Sequence, residues 1–239
     1  MNPMEYFAAT DIGNYRDKNE DFYFCNDNLF IVADGMGGHK AGEIASRTAV
    51  ENFVEYFQNS LKNNPQNIRE FMISSVNFAN GEVVKLSQEN KDYFGMGTTF
   101  TGCYIEGSKA HVIHAGDSRL YLKNSREFKL LTSDHTIVGE LFRKGLITYE
   151  DTFNHPQKNY LTNVLGTGDE LTADYFSFDL GENDIILLCS DGLNSMLRDT
   201  FILKIINQFK NPEKITEKLI YWAKNKGGLD NITIISIKT

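Results

Sequence analysis

Four strand-length apolar runs in this chain each carry an aspartate at one end. Ile31-Val32-Ala33 leads into Asp34, Ala110 to Ala115 into Gly116-Asp117, and Asp184 to Ser190 into Asp191, while Asp230 stands just ahead of the run that begins at Ile232. Glycine lies beside three of the four, as Asp34-Gly35, Gly116-Asp117 and Asp191-Gly192. Such a run reads as a buried strand that stops at a turn, which leaves the carboxylate free to reach outward. After Asp34, the glycines Gly35, Gly37 and Gly38 admit backbone angles closed to other residues, so main-chain carbonyls can also turn toward a ligand. If the four strand ends meet, their carboxylates share one cleft. Two such charges about 4 Å apart repel by roughly 4 kcal/mol at an effective dielectric of about 20. They must protonate or hold cations. Oxygen-only donors suit hard ions such as Mg²⁺ or Mn²⁺, and two such ions about 3.5–4 Å apart can activate a water. Four unrelated strand-end aspartates are the alternative, and pattern alone leaves it open.

The rest of the chain supplies a frame for such a cleft. Strands are expected over 6–10, 22–25 and 29–33, then two amphipathic helices, one from Ile44 to Leu61 and one from Ile68 to Leu86, broken at Asn63-Asn64-Pro65. Short strands follow over 98–105, 110–115, 119–122 and 128–131, joined by tight polar turns that imply antiparallel pairing. A short helix is expected over 137–145, an irregular excursion over 146–168, and strands over 175–180 and 184–190 around Gly181-Glu182-Asn183. Two more helices, separated at Pro212, precede a last strand over 232–237. The order predicts an α+β fold in which two antiparallel sheets stack centrally with a helix pair outside each. No internal repeat or linker divides the 239 residues, so a single domain is expected over 1–239.

A net charge of −8 with no basic block argues against nucleic acid or an anionic membrane as partner. No apolar run approaches the roughly 20 residues of a membrane span, and the N-terminus lacks the pattern of a signal peptide. Cys25, Cys103 and Cys189 all lie within apolar runs and read as small core residues of a chain in a reducing compartment. The loop Arg16 to Asp21 adds Glu20 and Asp21 beside a guanidinium whose planar fork fits two phosphate oxygens; alternatively Arg16 is a surface residue paired with Asp17. His111 and His114 would point to opposite faces of a strand, which disfavours zinc. The glycine runs lack the lysine of a phosphate-binding loop, and neither Ser118 nor Ser190 has an evident base.

The stretches RDKNED, VADGMGGHKAGE, GMGTT, HAGDSR, LTSDHT, GLITYEDTFNHPQKNYLTNVLG, CSDGL and GGLDNIT follow one another from Arg16 to Thr233. Together they closely resemble the metal-dependent protein serine/threonine phosphatases of type 2C, in their compact bacterial form. The resemblance implies a four-layer αββα sandwich with a flap subdomain at about 136–168. It implies hydrolysis of phosphoserine and phosphothreonine in proteins by a water activated at a binuclear Mn²⁺ or Mg²⁺ centre. Asp34 would bridge the ions, with the Gly35 carbonyl on one and Asp191 and Asp230 on the other. Asp117 with Asp191 would bind a third, weaker ion. Asp21 and Glu20 would support the site directly or through water, and Arg16 would bind the substrate phosphate. The implied setting is a cytoplasmic monomer whose substrates are phosphorylated by a cognate serine/threonine kinase. Met36 stands where animal members carry a histidine, so the proton donor to the leaving oxygen is open between His39 and a water; His39 is expected only to shape its loop. The competing reading is a phosphatase-like regulatory or binding module, which would be expected to lack some of these acids.

Overall fold

The computed structural model describes residues 4–37, 41–63, 67–168 and 170–239. The chain forms β1 (Glu5–Asp11), β2 (Asp21–Cys25), β3 (Leu29–Met36), the long helices α1 (Ala41–Asn63) and α2 (Ile68–Glu89), then β4 (Gly97–Thr98), β5 (Phe100–Glu106), β6 (Lys109–Ala115), β7 (Arg119–Lys123) and β8 (Phe128–Leu130). There follow α3 (Ile137–Arg143), α4 (Tyr149–Asn154), β9 (Asp174–Asp179), β10 (Ile185–Cys189), α5 (Asp191–Asn194), α6 (Asp199–Phe209), α7 (Pro212–Asn225) and β11 (Ile232–Lys238). One sheet has the order β1-β11-β10-β7-β8. The other has the order β2-β3-β5-β6-β9, with β4 beside the end of β3. All these pairings are antiparallel.

Alternation along the strands sorts the side chains into three apolar layers. Phe30 and Val32 of β3 meet Leu120, Leu122, Ile186, Leu188, Ile235 and Ile237 between the sheets. Their neighbours Leu29, Ile31 and Ala33 face outward onto Ala45, Ala49, Phe53, Met72 and Val76 of α1 and α2. On the far side, Leu187, Cys189, Ile232 and Ile234 pack against Ile202, Ile205, Ile215 and Leu219 of α6 and α7. The sandwich is therefore the four-layer α+β arrangement expected. Cys103 and Cys189 are buried and free, and burial pushes both thiols up to about 12. His111 and His114 face opposite sides of β6: the first bonds to Tyr175, the second to Thr101 inside the core.

Several local expectations need correction. β3 does not stop at Asp34; it continues through Gly35 and Met36, which pair with Thr98 and Gly97. A glycine is tolerated there because the strand ends against a close neighbour: a Cβ on Gly35 would lie 2.1 Å from the Gly42 carbonyl oxygen. β6 and β7 are not partners. The chain crosses from one sheet to the other between them, at Gly116-Asp117-Ser118, and β9 and β10 are likewise split between the sheets. The irregular excursion contains α4, opened by a capping box between Thr148 and Asp151. Asn64 and Pro65, expected to break the first helix pair, and Gly38 and His39 lie outside the described residues.

The loop between β1 and β2 is fastened to the start of β11 by one buried side chain. Asn231 Oδ1 accepts from the Glu20 backbone N–H at 2.8 Å, and its Nδ2 donates to the carbonyls of Ile12 (3.0 Å) and Lys18 (2.9 Å). Replacing Asn231 with Ala leaves three backbone groups without that partner, and an unsatisfied buried group costs about 1–3 kcal/mol. With partial rehydration of an exposed loop, Asn231→Ala is expected to destabilise by about 2–4 kcal/mol. Urea denaturation in the presence of a chelator measures this, and an unchanged midpoint would remove Asn231 from its bracing role.

Candidate metal centre

Both sheets deliver acids to the same end of the sandwich. Asp21 and Asp34 are direct register partners on β2 and β3. Asp117 sits on the crossover after β6, Asp191 is the first residue of α5 after β10, and Asp230 directly precedes Asn231 and β11. Backbone contacts hold these positions. The Asp34 N–H donates to Thr99 Oγ1 (2.9 Å), which shares a 2.7 Å hydrogen bond with Ser118, the neighbour of Asp117. The Thr98 hydroxyl and the Thr99 N–H both donate to the Asp34 carbonyl. The Gly35 N–H donates to the Glu20 carbonyl at 3.1 Å.

Asp21 joins the two sheets. Its Oδ2 accepts from Ser190 Oγ at 2.7 Å and from Thr233 Oγ1 at 2.6 Å, both on the opposite sheet's strand ends. Its other oxygen, Oδ1, is buried with no hydrogen-bond partner, and so is Asp191 Oδ1. Burial lifts the Asp21 carboxyl to about 7, against the pull of the two hydroxyls and with a further push from Asp191 and Asp230. Asp34 and Asp117 lie well above the usual carboxylate range, chiefly through desolvation; Asp34 also feels Asp21, Asp191, Asp117 and Asp230, and Asp117 feels Asp191 and Asp134. Both keep a window to solvent, as does Asp191, yet protein packs densely around their carboxylates. Asp191 is raised to about 6 by burial and by Asp230, offset by a hydrogen bond with Asp34. Desolvation also raises Glu20, beside Arg16 and Asp230.

Arg16 does not pair with Asp17. Its guanidinium donates to Asp230 Oδ2 at 2.8 Å, with half of the side chain exposed. A second arginine, Arg119, is buried close to Asp117 but committed elsewhere. It makes a bidentate pair with Asp134 (2.9 and 2.6 Å) and donates to the Tyr121 hydroxyl. Among the described residues no three Asp, Glu, His or Cys side chains already close on one point. The donor chemistry nevertheless suits hard cations: the cluster is all oxygen, strongly anionic when ionised, and holds two buried carboxylate oxygens with nothing to accept from.

The structure thus brings Asp21, Asp34, Asp117, Asp191 and Asp230 together, with Glu20 and Arg16 at the edge. Sequence reading underrated Asp21, which is the buried hub. It also passed over Thr233 and Asn231, which lie in the motif that contains Asp230, and over Thr99 at the end of GMGTT. Ser190 and Ser118 are engaged by Asp21 and Thr99, consistent with neither being a nucleophile.

Comparison with known proteins agrees. Residues 17–225 match the family model of protein phosphatase 2C. The chain is 37% identical to the protein phosphatase PhpP of Streptococcus pneumoniae, over 97% of this chain and 96% of that one. It is 35% identical to the serine/threonine phosphatase stp of Listeria monocytogenes, over 96% and 93%. Among solved structures, the serine/threonine phosphatase PstP/Ppp of Mycobacterium tuberculosis superposes with a TM-score of 0.91 at 31% identity, covering 98% of each chain. The catalytic domain of a serine/threonine phosphatase PstP, solved in complex with two manganese ions, superposes with a TM-score of 0.88 at 30% identity, over 98% of this chain and 97% of that one.

The raised acids set the sign of a pH dependence. Each keeps its proton in the folded state at pH values where the unfolded chain has lost it, so the folded state binds more protons and stability falls as pH rises toward the folded pKa. His111 and His114, both lowered by burial, act in the opposite direction but mainly below their ordinary value of 6.5. Between about pH 7 and about pH 8 the acids dominate, led by Asp21 at about 7, with Asp34 and Asp117 also raised well above the usual carboxylate range. The melting temperature of chelator-treated protein is expected to fall across that interval, and saturating Mg²⁺ to remove or reverse the fall. Equal melting temperatures at both ends in chelator would contradict the buried-acid assignment.

Proposed function

This chain belongs to the protein phosphatase 2C family, the metal-dependent phosphoprotein phosphatases, and we propose that it releases phosphate from phosphoserine and phosphothreonine in proteins at the acid cluster around Asp34. The observation that carries this reading is the junction of the five aspartates at one end of the sandwich, with two of their buried oxygens unpartnered. Asp34, Asp191, Asp230 and the Gly35 carbonyl would hold two Mn²⁺ or Mg²⁺ ions, with Asp21 and Glu20 in support and Asp117 with Asp191 taking a third, weaker ion. When bound, the ions supply Lewis-acid activation of water and neutralise phosphoryl charge.

The side chains have their own tasks. Holding cations asks Asp34 and Asp191 to be ionised together, and Asp230 to exchange its tie to Arg16 for a metal. Arg16, half exposed at the rim, is then available for two phosphoryl oxygens. With Ser118 and Ser190 committed to structural hydrogen bonds, no covalent phosphoenzyme is required on either. Met36 carries no proton for the leaving oxygen, and between water and His39 the donor we propose is water. The segment 136–168 forms the flap of a single domain over 1–239. Half-buried Asp199 holds it through the Tyr149 hydroxyl (3.1 Å), and Arg198 lies 3.2 Å from the centre of the Phe153 ring. No described helix is long and apolar enough to cross a membrane. A cytoplasmic, monomeric enzyme that opposes a serine/threonine kinase is the setting we propose.

Release of phosphate from a phosphothreonine peptide is expected with Mn²⁺ and not after exhaustive chelation. Asp34→Ala, Asp191→Ala and Asp230→Ala should each abolish it, while Asp117→Ala should retain two ions and reduced turnover. Metal analysis and initial rates read both, and full activity in metal-free protein would refute the mechanism. Arg16→Ala should lower kcat/KM on the peptide by about 10–150-fold, the loss of one charge-assisted contact. An unchanged value would leave Arg16 as a structural partner of Asp230 only.

A further inference from the structure

Two loops meet beside Arg16 and present apolar side chains to solvent. Tyr15 is 72% exposed, Leu229 54% and Ile12 37%. Tyr15 and Leu229 lie between the same two cross-links. On one side the Asn14 N–H donates to the Gly228 carbonyl at 2.7 Å, and on the other Arg16 bonds to Asp230 at 2.8 Å. The Asn14 side chain adds bonds to the carbonyls of Lys224 (2.8 Å) and Gly227 (2.9 Å), and Lys224 reaches Asp11 at 2.9 Å. The loops approach so closely that a Cβ on Gly13, whose φ is +80°, would sit 2.3 Å from the Asp230 carbonyl oxygen. Among the described residues, no ring stacks on Tyr15 and no hydrogen bond holds its hydroxyl.

A lone exposed apolar residue needs no explanation. Here three stand on a braced platform whose edge is the group proposed to grip phosphate. Such bracing lowers the ordering cost of binding, because the loop geometry is already set by the hydrogen bonds. Tyr15 and Leu229 are the chain neighbours of Arg16 and Asp230, and successive Cα atoms lie about 3.8 Å apart, so they are the apolar groups nearest in the chain to a phosphate held by Arg16. The remaining charge of the cluster and the chain's −8 disfavour an acidic residue at that place.

We propose that Tyr15, Leu229 and Ile12 form a specificity platform that selects phosphopeptides carrying an apolar residue within two positions of the phosphorylated serine or threonine. This deepens the phosphatase reading and rests on it. The platform touches the peptide, not the reacting phosphate, so it governs peptide turnover and leaves small aryl phosphates alone.

The test uses the whole protein with saturating Mn²⁺ and a set of phosphothreonine peptides in which each flanking position in turn is Leu, Gly or Glu. Values of kcat/KM are measured for wild type, Tyr15→Ala, Tyr15→Phe and Leu229→Ala, with p-nitrophenyl phosphate in parallel. Wild type is expected to favour Leu over Gly by about 5- to 30-fold at one or more flanking positions, the effect of partly burying one aliphatic side chain, with Glu poorest. Tyr15→Ala and Leu229→Ala should each shrink that preference to about 3-fold or less. Tyr15→Phe should keep it, and p-nitrophenyl phosphate turnover should hold in all four. Peptide hydrolysis with no apolar preference in wild type overturns the platform and leaves the phosphatase reading intact. So does a Tyr15→Ala loss that is equal on every peptide and on the aryl ester. No phosphate release from any substrate overturns both.

Discussion

Acidic charge buried at the open end of the sandwich is the constraint on which the other features depend. A lone carboxylate in a packed site favours protonation, and several together favour it more. The fold answers this in three ways at once. Two hydroxyls from the opposite sheet stabilise one oxygen of Asp21. Arg16 takes Asp230, and burial holds Asp34 and Asp191 toward their neutral forms. Each answer is partial, since two buried carboxylate oxygens remain without partners. A cluster left in that condition is costly unless cations complete it, and this links the stability of the molecule to its proposed chemistry.

The same cluster explains why the two sheets must be stacked in register at this end. Asp21 belongs to β2, while Ser190 and Thr233 flank β10 and begin β11 of the other sheet. Their hydrogen bonds cross the apolar layer formed by Phe30, Val32, Leu188 and Ile235. A one-residue slip of a strand in its own sheet would turn that strand's apolar face outward, and on β2, β10 or β11 it would also uncouple Asp21 from its hydroxyls. Hydrophobic burial thus sets how the sheets pack, and the polar contact selects the alignment that serves the site.

On the flap side, a second polar relay runs from the acid cluster outward. Arg119, close to Asp117, ties Asp134 and Tyr121 together; Tyr121 donates to Asp199, which also accepts from Tyr149 of α4. Arg119 is thereby neutralised by Asp134 and Asp199 and contributes little free positive charge to the centre. The cavity between α4 and the core, about 340 Å³, is lined by Asp117 and Asp191 on one side and by Thr152, Phe153 and Asn154 on the other. The position of α4 therefore shapes the approach to the acids from that direction, as the Tyr15 and Leu229 loops shape it beside Arg16.

Local pattern alone determined much of this protein. Short apolar runs bounded by turns marked most strands, helical spacing marked α1, α2, α6 and α7, and the strand-end aspartates marked the candidate site, because each signal spans only neighbouring residues. Partner choice was not written there. Nothing near β6 says that β7 belongs to the other sheet, and nothing near Asp34 says that β3 continues to Met36, since that extension exists only through pairing with β4. Asp21 looked ancillary because its two hydroxyl partners lie 169 and 212 residues further along the chain. Arg16 had an acid next to it in Asp17 but chose Asp230, 214 residues away, because the folded loops bring that carboxylate to its guanidinium. Sequence determined which residues are acidic, apolar or free to bend; only the tertiary structure decided which of them meet, because burial and charge compensation act through space between segments that the chain keeps far apart.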